Sequence, residues 1–97
     1  MIRLSLTQDS SSYSFLVRGH ASPNVCAAVS AITQGLAGFL MNHQDTVRDL
    51  AFRLKSGDSE VSFSSDDKYV EGAFELAKIA VLQVQKGYPE ELSVTCE

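Results

Sequence analysis

Two side chains suited to nucleophilic and acid–base chemistry stand six positions apart near the start of the chain, His20 and Cys26 in the stretch GHASPNVCAAVSA from Gly19 to Ala31. They are one of two histidines and one of two cysteines in 97 residues. A thiolate attacks carbonyl carbon well, and an imidazole beside it can take the thiol proton and later return it to a leaving group. The spacing straddles Ser22-Pro23-Asn24, where an extended segment gives way to a run of small apolar residues. Ser22-Pro23 reads as a helix N-cap followed by the first helical position, where proline is favoured; Asn24 is the alternative cap. Either choice puts Cys26 in or next to the first helical turn. There, free N–H groups and the positive end of the dipole stabilise a thiolate and offer an oxyanion hole.

The residue types alone leave a plainer reading open. A cysteine between Val25 and Ala27 on an apolar helix commonly serves as a small core hydrophobe, and a histidine after a strand commonly belongs to a loop. The remaining candidates are structural. His43 falls where the first helix should end and complements its dipole. Cys96 sits in the last strand, Asp66-Asp67 reads as a capping pair, and Glu90-Glu91 as a solvated turn. No Cys/His spacing for zinc, no phosphate-cradling glycine loop and no HExxH occur, so no metal and no nucleotide cofactor is indicated.

The elements that must hold the pair follow from periodicity. Ile2, Leu4 and Leu6 alternate with polar residues, as do Tyr13, Phe15 and Val17, predicting two strands joined at Gln8–Ser12. Gly19 ends the second and permits a sharp turn or a close backbone approach. From about Asn24 to Asn42, Val25, Val29, Ile32, Leu36, Phe39 and Leu40 follow helical spacing, and Ala and Gly keep the other faces small. Such a helix must be buried on more than one side. Leu50, Phe52 and Leu54 predict a third strand, Ser56–Ser59 a turn, and Val61 and Phe63 a fourth strand. Val70, Phe74, Ala77, Val81 and Val84 predict a second helix to about Lys86, with Gly87 as its C′ residue and Pro89 barring continuation. Leu92, Val94 and Cys96 predict a fifth strand. The order β-β-α-β-β-α-β implies an α+β sandwich, a mainly antiparallel sheet with two helices packed on one face, as a single domain over 1–97.

Composition narrows the function classes. A net charge of −4 with acidic and basic residues interspersed lacks the basic stripe of a nucleic-acid binder. No run of about 18 consecutive apolar residues suggests a membrane span, and MIRLSLTQDS does not resemble an export signal. Two cysteines without a dense framework fit a reducing cytoplasm better than a Cys26–Cys96 disulfide.

The segments GHA and VCAAVSA, with the later GYPEELSV, resemble the ribosomal-processing cysteine protease family Prp, and the order of elements extends the similarity over essentially the whole chain. The resemblance implies an α+β homodimer in which His20 and Cys26 are the catalytic pair, supported by Gly19, Asn24 and Val25. It implies a cytoplasmic cysteine endopeptidase that trims the N-terminal extension of bacterial large-subunit ribosomal protein twenty-seven, using no cofactor. The partner would be a peptide segment of that protein, with no direct nucleic-acid or membrane contact. Members of that family carry a longer, glycine-containing link between the pair and an acidic residue before the cysteine. Here only Ala21–Val25 intervene, so an orienting carboxylate must come from elsewhere, with the Asn24 amide the nearest substitute. The second reading is a family relative with impaired catalysis, a small dimeric ribosome- or peptide-binding module.

Overall fold

Alternating burial builds the sheet. In the computed structural model, which describes all residues from Met1 to Glu97, β1 (Ile2–Asp9) buries Ile2, Leu4 and Leu6, and β2 (Ser12–Arg18) buries Tyr13, Phe15 and Val17. They pair antiparallel, with Leu6 opposite Phe15 and Leu4 opposite Val17. Ser10 adopts φ 57° in the connecting turn. After α1 (Pro23–Met41) and a short 3₁₀ turn (Gln44–Thr46) come β3 (Arg48–Lys55) and β4 (Asp58–Ser64), then α2 (Lys68–Gly87) and β5 (Leu92–Cys96). The sheet order is β3-β4-β2-β1-β5. Every pairing is antiparallel except β1 with β5, which is parallel. The expected α+β architecture is therefore the observed one.

Both helices lie on the sheet face that carries Leu4, Phe15 and Val61. The stripe Val25, Val29, Leu36, Ala37 and Leu40 of α1 and the stripe Val70, Phe74, Ala77 and Val81 of α2 are buried there. Fully burying one such side chain contributes roughly 1.5–3 kcal/mol. Tyr13 stacks on Phe63 with centroids 4.8 Å apart and tilts against Phe74 at 4.9 Å. Thr33 is a polar residue within the α1 stripe, and its hydroxyl donates to the Val29 carbonyl at 2.7 Å. By length and composition alone α1 would pass as a membrane-crossing helix, but here its larger side chains pack on the sheet.

Two local expectations are corrected, and a third, the Ser22-Pro23 helix start, holds for the main chain only. Gly87 is the last residue of α2 and not a left-handed C′ cap; Tyr88 takes the C-cap position. Ser22 is the N-cap of α1 and Pro23 its first residue, yet the Ser22 hydroxyl caps nothing. Alternation fails in β3, where Phe52 and Leu54 are both 43% exposed. Phe52 pairs with buried Val61 and so faces the helical layer, but β3 is the sheet edge, which the helices cover only in part. A bulge with Asp49 at φ 53° also breaks its register. By contrast Asp67 caps α2 as expected, accepting from the Tyr69 amide at 2.9 Å.

Candidate active site

The link between β2 and α1 is short and pinned from three sides. Gly19 adopts φ +100°, a region that penalises any Cβ, and a Cβ there would overlap the Met1 carbonyl oxygen. Its amide donates to the Gly57 carbonyl in the β3–β4 turn at 3.0 Å. The Ser22 amide donates to Glu91 Oε1 at 2.8 Å, a contact between residues 69 positions apart. Between these anchors stand His20 and Ala21.

Cys26 is the fourth residue of α1 and half-buried. Its Sγ lies 3.3 Å from the Ala21 amide, which donates to it, and 3.4 Å from the Ala21 carbonyl, to which the thiol donates. The sulfur is thus held against the residue next to His20, with an N–H already directed at the position a thiolate would occupy. The amide of Cys26 itself donates to the Ser22 carbonyl at 2.9 Å and is not free for an oxyanion. Asn24 and Val25 follow proline in the first turn, and their amides have no hydrogen-bond partner. These two supporting residues carry the helix-start donors. Val25 is also fully buried and fixes the helix start to the core, whereas the Asn24 side chain is exposed and makes no hydrogen bond to His20.

His20 is exposed, and its ring lies over Gly57 so closely that a Cβ on Gly57 would overlap Nε2 and come within 2.6 Å of Cε1. The ring makes no hydrogen bond to Cys26 Sγ. The pair expected from spacing is therefore brought to one loop but left unjoined, because the Sγ engages the Ala21 main chain while the imidazole rests on the neighbouring turn. Catalytic hydrogen bonds are often long in the unliganded state and tighten when substrate binds. A hollow of about 230 Å³ opens one helical turn beyond Cys26, between Val29, Ser30 and Gln34 of α1 and Leu54, Ser56 and Ser59 of the β3–β4 hairpin. Its size suits one peptide side chain.

The other polar candidates fall elsewhere. His43 Nδ1 lies 2.8 Å from the Phe39 carbonyl oxygen, and its ring joins Phe39 and Tyr69 in a three-ring surface cluster, so it is structural. Cys26 and Cys96 are both free thiols. Glu91 departs from the expected solvated turn. The Ser22 hydroxyl and amide face its carboxylate and hold its ionisation below the ordinary value near 4.5; the amide makes the well-aligned hydrogen bond. On the open face of the sheet, Arg53 and then Arg18 likewise hold Asp58 below its ordinary value near 3.8, with hydrogen bonds of 2.9 and 2.6 Å. Both carboxylates are depressed, so their stabilisation is complete above those ordinary values and is lost as pH falls through the lower folded ones. Thermal melts are thus expected to keep a constant Tm above about pH 5 and to drop below about pH 4. Glu91→Gln should make that acid limb shallower, because glutamine accepts the same hydrogen bond without titrating.

Glu91 and Gly57 were not legible as parts of this site. Gly57 read as a turn residue, and the available hints for Glu91 were its place in the GYPEELSV segment and the lack of any acidic residue between His20 and Cys26.

A comparison with curated protein sequences returns no match. Among solved structures, the ribosomal-processing protease Prp of Staphylococcus aureus, in complex with a covalently linked product peptide, superposes with a TM-score of 0.83 at 18% identity over 100% of both chains. The same protease with a substrate peptide gives 0.79 at 15% identity, again over 100% of both chains. A Streptococcus mutans protein gives 0.76 at 22% identity, covering 99% of this chain and 96% of its own. These likenesses carry the fold. A family model described as cysteine protease Prp matches residues 1–93, and with it the GHA and VCAAVSA segments that hold His20 and Cys26. With a thiol at a helix start beside a histidine-bearing loop, this chain belongs to the cysteine protease Prp family.

Proposed function

We propose that this protein is a cytoplasmic endopeptidase that removes the N-terminal extension of bacterial large-subunit ribosomal protein twenty-seven, with Cys26 as nucleophile and His20 as acid and base. The observation that carries the assignment is the Cys26 sulfur, held at the start of α1 with the Ala21 amide directed at it, one residue from His20. On peptide binding the exposed imidazole pivots on its Gly57 support toward Sγ and takes the thiol proton. The thiolate attacks the scissile carbonyl carbon, forming the C–S bond, and the oxygen's developing charge is met by the Asn24 and Val25 amides. Collapse expels the amine, which leaves with the proton from His20. Water, deprotonated by His20, then attacks the thioester and frees the acid product and the thiol. The hollow beside Ser30 takes one substrate side chain. Ribosomal processing by the Staphylococcus aureus protease, whose structures hold substrate and product peptides, supports the substrate class. The test is incubation with the N-terminally extended ribosomal protein from the same source, read by mass spectrometry. A single new N-terminus, absent with Cys26→Ala, is expected; an intact substrate with wild-type protein overturns the assignment.

The protein acts as a homodimer. The reading is supported by an apolar trough of about 320 Å³ on the outer side of the helical layer, between Ile32, Gly35 and Phe39 of α1 and Ala73, Leu76 and Ala80 of α2. Leu76 is 68% exposed there, a large apolar side chain to leave in water. Leu76→Glu is expected to sediment as a monomer at concentrations where the wild type is a dimer. A monomeric wild type would refute this.

A further inference from the structure

We infer that Glu91 is a positioning residue of the proteolytic site, clamping the His20–Cys26 link through the Ser22 amide. The inference rests on the protease reading above. Ser22 is the point where the loop becomes helix, and both of its main-chain polar groups are committed: the amide to Glu91 Oε1 at 2.8 Å, the carbonyl to the Cys26 amide at 2.9 Å. One residue earlier, the Ala21 amide and carbonyl contact the Cys26 sulfur. A force on the Ser22 amide is therefore transmitted to the sulfur both through the helix hydrogen bond and through the adjoining peptide unit.

Glu91 is itself well anchored. Its amide donates to the Tyr88 carbonyl at 3.0 Å, closing the turn after α2, and its carbonyl accepts from the Ile2 amide at 2.9 Å. The next residue, Leu92, is fully buried and opens β5 opposite Ile2. The carboxylate thus projects from a rigid junction between α2 and the sheet edge. Without it the Ser22 amide loses its acceptor, since the cap residue's own side chain makes no bond at this helix end. The opposite side of the link is held by the Gly19–Gly57 hydrogen bond. The link is consequently stretched between two anchors, one in the β3–β4 turn and one at β5, with His20 and Ala21 between them. The chemistry asked of Glu91 is acceptance of a hydrogen bond at a fixed reach, not transfer of a proton.

The distinction between reach and charge decides the test. In a Cys96→Ser background, which leaves Cys26 as the sole thiol, Glu91→Ala, Glu91→Gln and Glu91→Asp are compared with the parent. Two assays are run: the rate of Cys26 alkylation by iodoacetamide at pH 7, and the kcat and KM of cleavage of the extended ribosomal protein. Glu91→Ala is expected to slow alkylation and to lower kcat by about tenfold each, with KM within about twofold, as loss of one charge-assisted hydrogen bond allows. Glutamine keeps an acceptor oxygen at the same reach and should stay within about twofold of the parent. Aspartate keeps the charge but is one methylene short, and should behave like alanine. Alanine behaving like the parent, or glutamine impaired as much as alanine, overturns the inference. If Glu91→Ala fails to fold, glutamine against aspartate decides: glutamine active and aspartate impaired supports the clamp, and the reverse overturns it. The alkylation arm needs no substrate, so a wrong substrate assignment shows as absent cleavage by the parent while the clamp is still judged.

Discussion

Cys26→Ala is expected to abolish peptide cleavage, lowering kcat by at least about four orders of magnitude, the scale on which loss of a covalent nucleophile is felt in hydrolases. No neighbouring group can replace it: the only other thiol, Cys96, lies exposed at the end of β5. The fold should survive. Cys26 is half-buried at the margin of the core, and removing its sulfur exposes no charge, so the stability change should be about 1 kcal/mol or less. Circular dichroism and Tm close to wild type, together with undetectable product, are the expected combination. Residual cleavage within about tenfold of wild type would dismiss Cys26 as nucleophile. His20→Ala should retain more, losing about two to four orders of magnitude, because a base contributes less than the nucleophile it serves.

Gly57→Ala is expected to be the most damaging change outside the proposed catalytic pair. Two effects act at once. The residue sits at φ +75°, where any side chain is strained, at a cost of about 1–2 kcal/mol. The added Cβ would also occupy the space of the His20 ring, which as an exposed side chain yields by rotating away. A displacement of about 1 Å in a catalytic group costs on the order of 10²-fold, so kcat should fall about 10–100-fold. Gly57→Asn separates the two effects, since asparagine tolerates positive φ yet carries the same Cβ. It should recover much of the stability and none of the activity. A Gly57→Ala enzyme with wild-type kcat would mean that the imidazole works from a position clear of this turn.

Much of the scaffold was legible without coordinates. Ile2, Leu4 and Leu6, and Tyr13, Phe15 and Val17, alternate because one face of each strand is packed and the other is wet, so period two survives in the residue order. The stripe from Val25 to Leu40 is helical for the same reason at period 3.6. Where the rule misled, geometry explains why. Phe52 and Leu54 alternate like core residues, but they belong to the edge strand, and whether a strand is central or peripheral is a property of the sheet and not of the strand. Gly87 resembled a helix stop and is the last helical residue, since Tyr88 and the turn to Leu92 complete the end through their own main-chain hydrogen bonds.

The site divides along the same line. His20 and Cys26 are close in sequence, chemically distinctive and set in family segments, so the residue order by itself determined the proposed catalytic pair, the helix start beside it and the α+β frame. What holds them there is remote in sequence: Glu91 reaches the link across 69 positions, and Gly57 contributes a carbonyl and an absent side chain. A glutamate in a turn and a glycine in a hairpin are common in any chain; the GYPEELSV segment marks the first as a family feature without saying what it touches, and nothing local marks the second. Only the tertiary structure decided that β4 and β1 flank β2, which brings the β3–β4 turn and the start of β5 to opposite sides of one short loop. The physical reason is that periodicity records which face is buried, whereas a positioning contact depends on which strands become neighbours.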